Sequence, residues 1–240
     1  VTTGCSKDGD LNLFSVEEDV KLGAQLEQEI LSNPTEYPIL PANLYPNAYQ
    51  HLQRITDQLL NSGQLLYRDK FAWKLYIIRR DDILNAFCAP GGYIYVYTGL
   101  IKYLDKESEL AGVMGHEIAH ADLRHSTEAM TRTYGLQVLL DIALGNNQGQ
   151  LTNIAANLLL LKNSRSNETE ADKASVKYLC NTEYQSTGTA GFFEKLEREG
   201  KGGGQYEFLS THPSPDKRIE TIYDEAKSMN CASGGTFEER

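Results

Sequence analysis

The 240-residue chain is poor in the features that define several protein classes. Its four cysteines, Cys5, Cys88, Cys180 and Cys231, contain no CxxC pair, which argues against a disulfide mini-protein and against a cysteine-based zinc site. No apolar run reaches the roughly 18 residues of a membrane-spanning helix. Positive charge is scarce: 23 Lys and Arg face 33 Asp and Glu, for a net charge of -10. No Lys/Arg cluster offsets that field, so a polyanion is repelled and nucleic acid is not an expected partner. Internal repeats and low-complexity linkers are missing as well. What remains is ordinary globular usage, 40% hydrophobic and 23% charged, which excludes a wholly disordered or collagen-like chain.

Residues 1–14 read as a polar tail, and 231–240 as another. In the first, Thr3-Gly4-Cys5-Ser6 is similar to the end of a bacterial lipoprotein signal, so a lipid on Cys5 and attachment to a membrane surface are expected. Residues 15–230 read as a single domain. Ser15 caps a helix whose first turn is acidic and whose apolar positions include Val20, Leu22, Leu26 and Ile30. After a Pro-rich connector (34–46), a second helix is expected over 48–60. The period then changes. Residues 74–80 are β-branched and aromatic, and Tyr93, Tyr95 and Tyr97 alternate with Ile94 and Val96 after a Pro-Gly-Gly turn, which predicts a small sheet. From about Glu107 the pattern is helical again, with a long middle helix and further helices over 131–144, 151–162, 168–179, 190–199 and 216–228. Loops are expected at 145–150 and 200–210. The fold class is therefore α+β and mostly helical, with a small antiparallel or mixed sheet. The apolar arms around 145–150 suit core packing, or a hairpin that covers the active site or touches a membrane or partner. In an exported protein, Cys180 and Cys231, each closing a helical segment, are expected to pair.

His116-Glu117-Ile118-Ala119-His120 is an HExxH sequence. On a helix its two histidines stand about 40° apart around the axis and about 6 Å apart along it, close enough to share one ion. Glu117 points beside the pair, where a carboxylate can act on a metal-activated water. Chance places this motif in about one chain in a hundred of such composition. Surface histidines are the bland alternative, but Val113, Met114, Ile118 and Ala119 put the motif on an apolar helix, where imidazoles need partners. A catalytic zinc needs three protein ligands and an open position. The third has four candidates. Glu168 lies four residues before Asp172, which is then placed to accept the free N–H of a ligand histidine. His125, nine residues past His116, falls on the far side of an uninterrupted helix and reads as structural. His51 reads as a surface histidine. His212, in Thr211-His212-Pro213-Ser214-Pro215, is held by prolines and is suited either to an oxyanion or to the open position, which it would close.

HEIAH at 116–120, NETEAD at 167–172 and STHPSPDKRI at 210–219 resemble three successive motifs of the M48 family of gluzincin metallopeptidases, and NAFCAPGGYIYVYTGLI at 85–101 resembles the strand before its zinc helix. The resemblance spans about residues 70–228 and is nearest in layout to the soluble or lipid-anchored bacterial members of the HtpX-like and Oma-like branches. It implies a zincin-like domain with a long HExxH helix and one Zn2+ held by His116, His120 and Glu168. It implies Glu117 as general base, His212 beside the metal in catalysis or gating, and Asp172 and Arg218 as supports. Cys88 departs from the small residue usual there. The implied activity is endoproteolysis of extended or unfolded proteins, paired along the edge of the 93–98 strand. Placed in the bacterial envelope or periplasm, such a chain would act near the envelope assembly machinery. The alternative is a latent protease working as a chaperone or assembly factor.

Overall fold

A computed structural model describes residues 14–200, 207–212 and 217–231. The chain opens with α1 (Val16–Ser32), whose N-terminus is closed by reciprocal bonds between Ser15 and Glu18, the Glu18 N–H donating to Ser15 Oγ at 3.2 Å. Helix α2 (Pro46–Leu60) starts on a proline, which needs no donor there. Three strands follow, β1 (Lys74–Ile78), β2 (Ala86–Ala89) and β3 (Tyr93–Tyr97), then α3 (Thr98–Tyr103) and α4 (Glu107–Asp122). Beyond them come α5 (His125–Tyr134), α6 (Leu136–Ala143), α7 (Gln148–Ala156), a 3-10 turn (Leu158–Leu160), α8 (Arg165–Leu179), α9 (Gly188–Arg198), α10 (Glu207–Thr211) and α11 (Arg218–Ser228). The mostly helical α+β expectation is met.

The sheet has the order β1-β3-β2, with β1 parallel and β2 antiparallel to β3. It is covered on both faces. Ile94 and Val96 pack with Leu75, Ile77 and Cys88 into a core shared with α2, α4, α8 and α9. Tyr93, Tyr95 and Tyr97 pack on the other side with Leu22 and Leu26 of α1 and with Leu139, Leu151 and Ile154. The period-two pattern of β3 thus sorts two buried faces rather than a buried and a wet one. It also corrects one expectation: β3 is the central strand, so its edges are already paired, and the sheet's edges are β1, bridged at Ile78 by Ile39, and β2.

Helix α4 is buried from Ser108 to Asp122. Small residues make this possible. A Cβ on Gly112 would stand 2.1 Å from the Thr189 backbone nitrogen of α9, and one on Gly115 would sit 3.4 Å from Ser175 Cβ of α8. Helix α4 stops at Asp122 because Arg124 adopts the left-handed region (φ 64°), which costs a non-glycine residue roughly 1 kcal/mol or more. The guanidinium recovers this by bonding Asp19 and the Phe14 carbonyl. The 131–144 stretch is split at Gly135 (φ 86°) into α5 and α6, and the expected loop at 145–150 is half helix, since α7 begins at Gln148. Cys180 and Cys231 are joined by a disulfide, with Cα atoms 5.1 Å apart, tying the end of α8 to the end of α11. No helix of the described residues is long and apolar enough to cross a membrane. Cys5, the glycines at 202–204, and Pro213, Ser214 and Pro215 lie outside the described residues.

Candidate metal centre

His116 and His120 extend from one face of α4, and their Nε2 atoms are 3.0 Å apart. Helix α8 crosses them and brings Glu168, whose carboxylate oxygens lie 3.4 Å from each Nε2. His212, just after α10, places Nδ1 3.1 Å from Glu168 Oε1, its ring stacked on Phe208. One ligand atom from each of these four residues falls within 4.8 Å of all the others, and all four residues are buried. Of the four third-ligand candidates, Glu168 and His212 are therefore at the cluster. His51 is exposed on α2 and is not among the residues of the cluster. His125 was expected on the opposite side of the motif helix. It is instead the first residue of α5, with its Nδ1 3.1 Å from His120 Nδ1, because Arg124 ends the helix before the extrapolation applies.

The supports are also in place. Asp172 Oδ1 lies 2.9 Å from His116 Nδ1, leaving Nε2 toward the cluster. Arg218 grips Asp172 through Nε at 2.7 Å and Nη2 at 2.6 Å, and its Nη1 is 3.0 Å from Glu168 Oε2 without hydrogen-bond alignment. Glu117 Oε1 is buried, makes no hydrogen bond, and lies 3.5 Å from His212 Nε2.

These residues suit a zinc ion on three grounds. The separations of 3.0–3.4 Å match the edge of a tetrahedron with bonds of about 2.0–2.1 Å, roughly 3.3–3.4 Å. Imidazole nitrogens with a carboxylate are a usual zinc donor set. Finally, among the described residues the buried carboxylates Glu117, Glu168 and Asp172 face one guanidinium, Arg218, so a divalent cation suits the charge of the site. Titration follows the same imbalance. Burial opposes charge on His116, yet hydrogen bonds to Asp172 and Glu168 outweigh it and carry the imidazole up to about 9. Burial works against the Glu168 carboxylate too, but the neighbouring imidazoles of His212 and His120 hold it well below the usual range. Burial pushes Glu117 up.

Beside the cluster opens a cleft lined by Asn85, Phe87 and Ala89 of the β2 region, by Ala129 and Met130 of α5, and by Leu158 and Leu161. None of these was singled out from the sequence as a site residue. Only the short alternation around Phe87 could have hinted at it. In the apolar arm near 158–161, Leu158 is buried in the core and also lines the cleft.

A helical fold with a covered three-stranded sheet, an HExxH helix and a buried His/His/Glu/His cluster is the make-up of a metal-dependent hydrolase. The family model of "Peptidase family M48" matches residues 46–226, three quarters of the chain. The chain belongs to that family of zinc metallopeptidases. It is 38% identical over 154 residues to the mitochondrial metalloendopeptidase OMA1 of Schizosaccharomyces pombe, covering 62% of this chain and 45% of that one. It is 29% identical over 198 residues to the β-barrel assembly-enhancing protease of Yersinia pestis, covering 77% and 40%. The Escherichia coli K12 protein of the same name is 29% identical over 175 residues, covering 67% and 36%. The chain thus spans less than half the length of each of these three relatives.

Proposed function

We propose that residues 15–230 form one endopeptidase domain that hydrolyses peptide bonds in extended or unfolded proteins, with His116, His120 and Glu168 as zinc ligands and Glu117 as general base. The observation that carries this is the convergence of the two HExxH imidazoles and Glu168 on one point, with the unbonded Oε1 of Glu117 beside it. Zinc, when bound, supplies a Lewis acid for the scissile carbonyl and makes a water acidic enough to lose its proton near neutral pH. The protein does the rest. Glu117 takes the proton from that water and returns it to the leaving amine, a role that its desolvated carboxylate favours by being more basic than an exposed one. Asp172 holds His116 in the tautomer that leaves Nε2 free, and Arg218 holds Asp172. His212, whose Nδ1–H faces the Glu168 carboxylate, sets Nε2 3.5 Å from Glu117 Oε1, and as an imidazolium it can donate from Nε2 to the oxyanion that forms on the carbonyl.

The substrate pairs with β2. Because Phe87 and Ala89 bond inward to β3, the outer groups belong to Ala86 and Cys88. Asn85 Oδ1 accepts the Ala86 N–H at 2.9 Å and Ser126 Oγ donates to the Cys88 carbonyl at 2.8 Å, and Ala86 is fully buried, so of these outward groups the Cys88 N–H, beside the cleft, is left for an extended chain. Main-chain pairing selects extended segments over folded ones. Two relatives are named for β-barrel assembly, which supports envelope proteins as substrates, a place in the bacterial envelope or periplasm, and work beside the assembly machinery. A lipid on Cys5 would keep the domain at a membrane surface there.

A second reading rests on His212. Its Nδ1 falls within the same 4.8 Å cluster, so it can fill the fourth position and keep the protease latent, with the cleft serving as a binding site for assembly clients. One experiment separates the readings. Glu117→Gln should retain about one zinc per chain and lose cleavage of an unfolded protein, whereas His212→Ala should raise cleavage only if the resting state is latent. Cleavage by Glu117→Gln at the wild-type rate would remove the assignment of the base.

A further inference from the structure

We propose that His125 and Glu170 are positioning residues that fix the metal ligand His120 through a chain of two hydrogen bonds, an inference that rests on the ligand assignment above. His120 directs Nε2 at the cluster and Nδ1 at His125 Nδ1, 3.1 Å away. Both rings are buried, and among the described residues the polar partner that each Nδ1 meets is the other. Two neutral imidazoles facing nitrogen to nitrogen share one proton, and the question is which ring owns it. The far side of His125 answers it. Its Nε2 lies 3.3 Å from Glu170 Oε2, an acceptor, so the His125 proton belongs on Nε2. His125 Nδ1 then has a lone pair and accepts from the Nδ1–H of His120, which leaves Nε2 of His120 unprotonated and facing the ion. The opposite polarity would turn a lone pair of His125 toward the Glu170 carboxylate and a proton of His120 into the cluster.

The backbone is built to present His125 this way. Arg124 takes its left-handed turn while bonded to Asp19 and the Phe14 carbonyl, and Asp19 also accepts from Thr127 Oγ1 at 2.6 Å. Helix α1 therefore pins the turn that carries His125 on both sides. The two HExxH histidines are consequently oriented by unlike partners. His116 meets a buried carboxylate directly at 2.9 Å, and His120 meets a neutral ring whose carboxylate, Glu170, is about half exposed. The His120 arm should respond in a graded way: strongly to loss of the ring, weakly to loss of the Glu170 charge.

The test measures zinc retention by the full chain against a chromogenic chelator. His125→Phe keeps the volume but has no acceptor, and should release zinc about 10–100 times faster than wild type. His125→Asn can set its carbonyl oxygen where Nδ1 stood, and should restore retention to within a few-fold. Glu170→Gln should speed release by less than tenfold. Equal losses in the Asn and Phe variants, with wild-type melting of the zinc-free proteins, would overturn the proposal. So would ring 15N spectra of the zinc-loaded wild type with the proton on Nδ1 of His125, a measurement that needs no variant to fold. If His116→Ala and Glu168→Gln retain zinc as wild type does, the ligand assignment fails instead. If those two lose zinc while His125→Phe and His125→Asn both keep it, only the hydrogen-bond chain fails.

Discussion

Replacing Cys180 and Cys231 with serine should lower the stability of the folded chain by about 4 kcal/mol. The bond joins residues 51 apart in sequence. Closing a loop of that size removes roughly 14 cal/mol/K from the unfolded chain, which is about 4 kcal/mol at 25 °C. For 240 residues the unfolding entropy near the midpoint is about 0.5 kcal/mol/K, so the melting temperature should fall by about 8 °C. The closed loop holds α9, α10 and α11, and with them His212 and Arg218, so the cross-link restrains the segments that complete the cluster around Glu168. Calorimetry of the double variant beside the oxidised wild type measures the shift. A reductant should move the wild type to the midpoint of the variant and leave the variant unchanged. A double variant melting within about 2 °C of the oxidised wild type would show that the loop-closure reasoning does not apply to this chain.

Two other outcomes follow from burial. Arg218→Ala leaves Asp172 and Glu168 without their guanidinium in a desolvated site, and should cost about 3–5 kcal/mol in urea unfolding of the zinc-free protein. Arg218→Lys should recover little, because an ammonium cannot grip Asp172 with two parallel donors; full recovery would refute that geometry. Burial pushes the Cys88 thiol well above its ordinary range, so iodoacetamide at pH 8 should label Cys88 only after denaturation. Rapid labelling of the native chain would contradict the packing of β2 against α4.

Much of the site could be read before any coordinates, because a helix converts spacing into geometry. HExxH and the Glu168–Asp172 pair each lie within one helix, and their relative directions follow from the residue count. The misreadings share a cause. His125 was placed by continuing α4 past Asp122, yet the break falls at Arg124, a residue type that gives no left-handed signal of the kind glycine would. The 93–98 strand alternates strongly and is expected to offer an exposed edge to substrate, yet it is central in the sheet. Strand order is a long-range property, and Ala86–Ala89, an edge strand, is four residues without β-branching and carries little pattern of its own. Gly135 splits the 131–144 helix and is visible, but an isolated glycine does not by itself say whether a helix bends, ends or continues.

Packing and chemistry meet on α4, and one substitution should separate them. Gly112, one turn before His116, lets the α9 backbone approach closer than any Cβ would allow, and Gly115, about 100° round the helix from His116, faces Ser175 of α8. Ser175, the residue against Gly115, lies about one helical turn beyond Asp172 and about two beyond Glu168 on α8. The distance from α4 to α8 therefore sets both the packing and the reach of the two carboxylates to His116. Gly115→Leu places a branched side chain against Leu59 and Ser175, where a Cβ alone already comes to 3.3–3.4 Å, and must push α8 outward. Overpacking of this kind costs roughly 1–3 kcal/mol, which a chain with a covered sheet and a disulfide should survive folded. The ligand separations of 3.0–3.4 Å have no such tolerance. Circular dichroism should stay helical while zinc affinity falls at least tenfold. Wild-type affinity in a folded Gly115→Leu protein would mean that Glu168 reaches the histidines by its own flexibility, and that the closeness of the two helices serves the core alone.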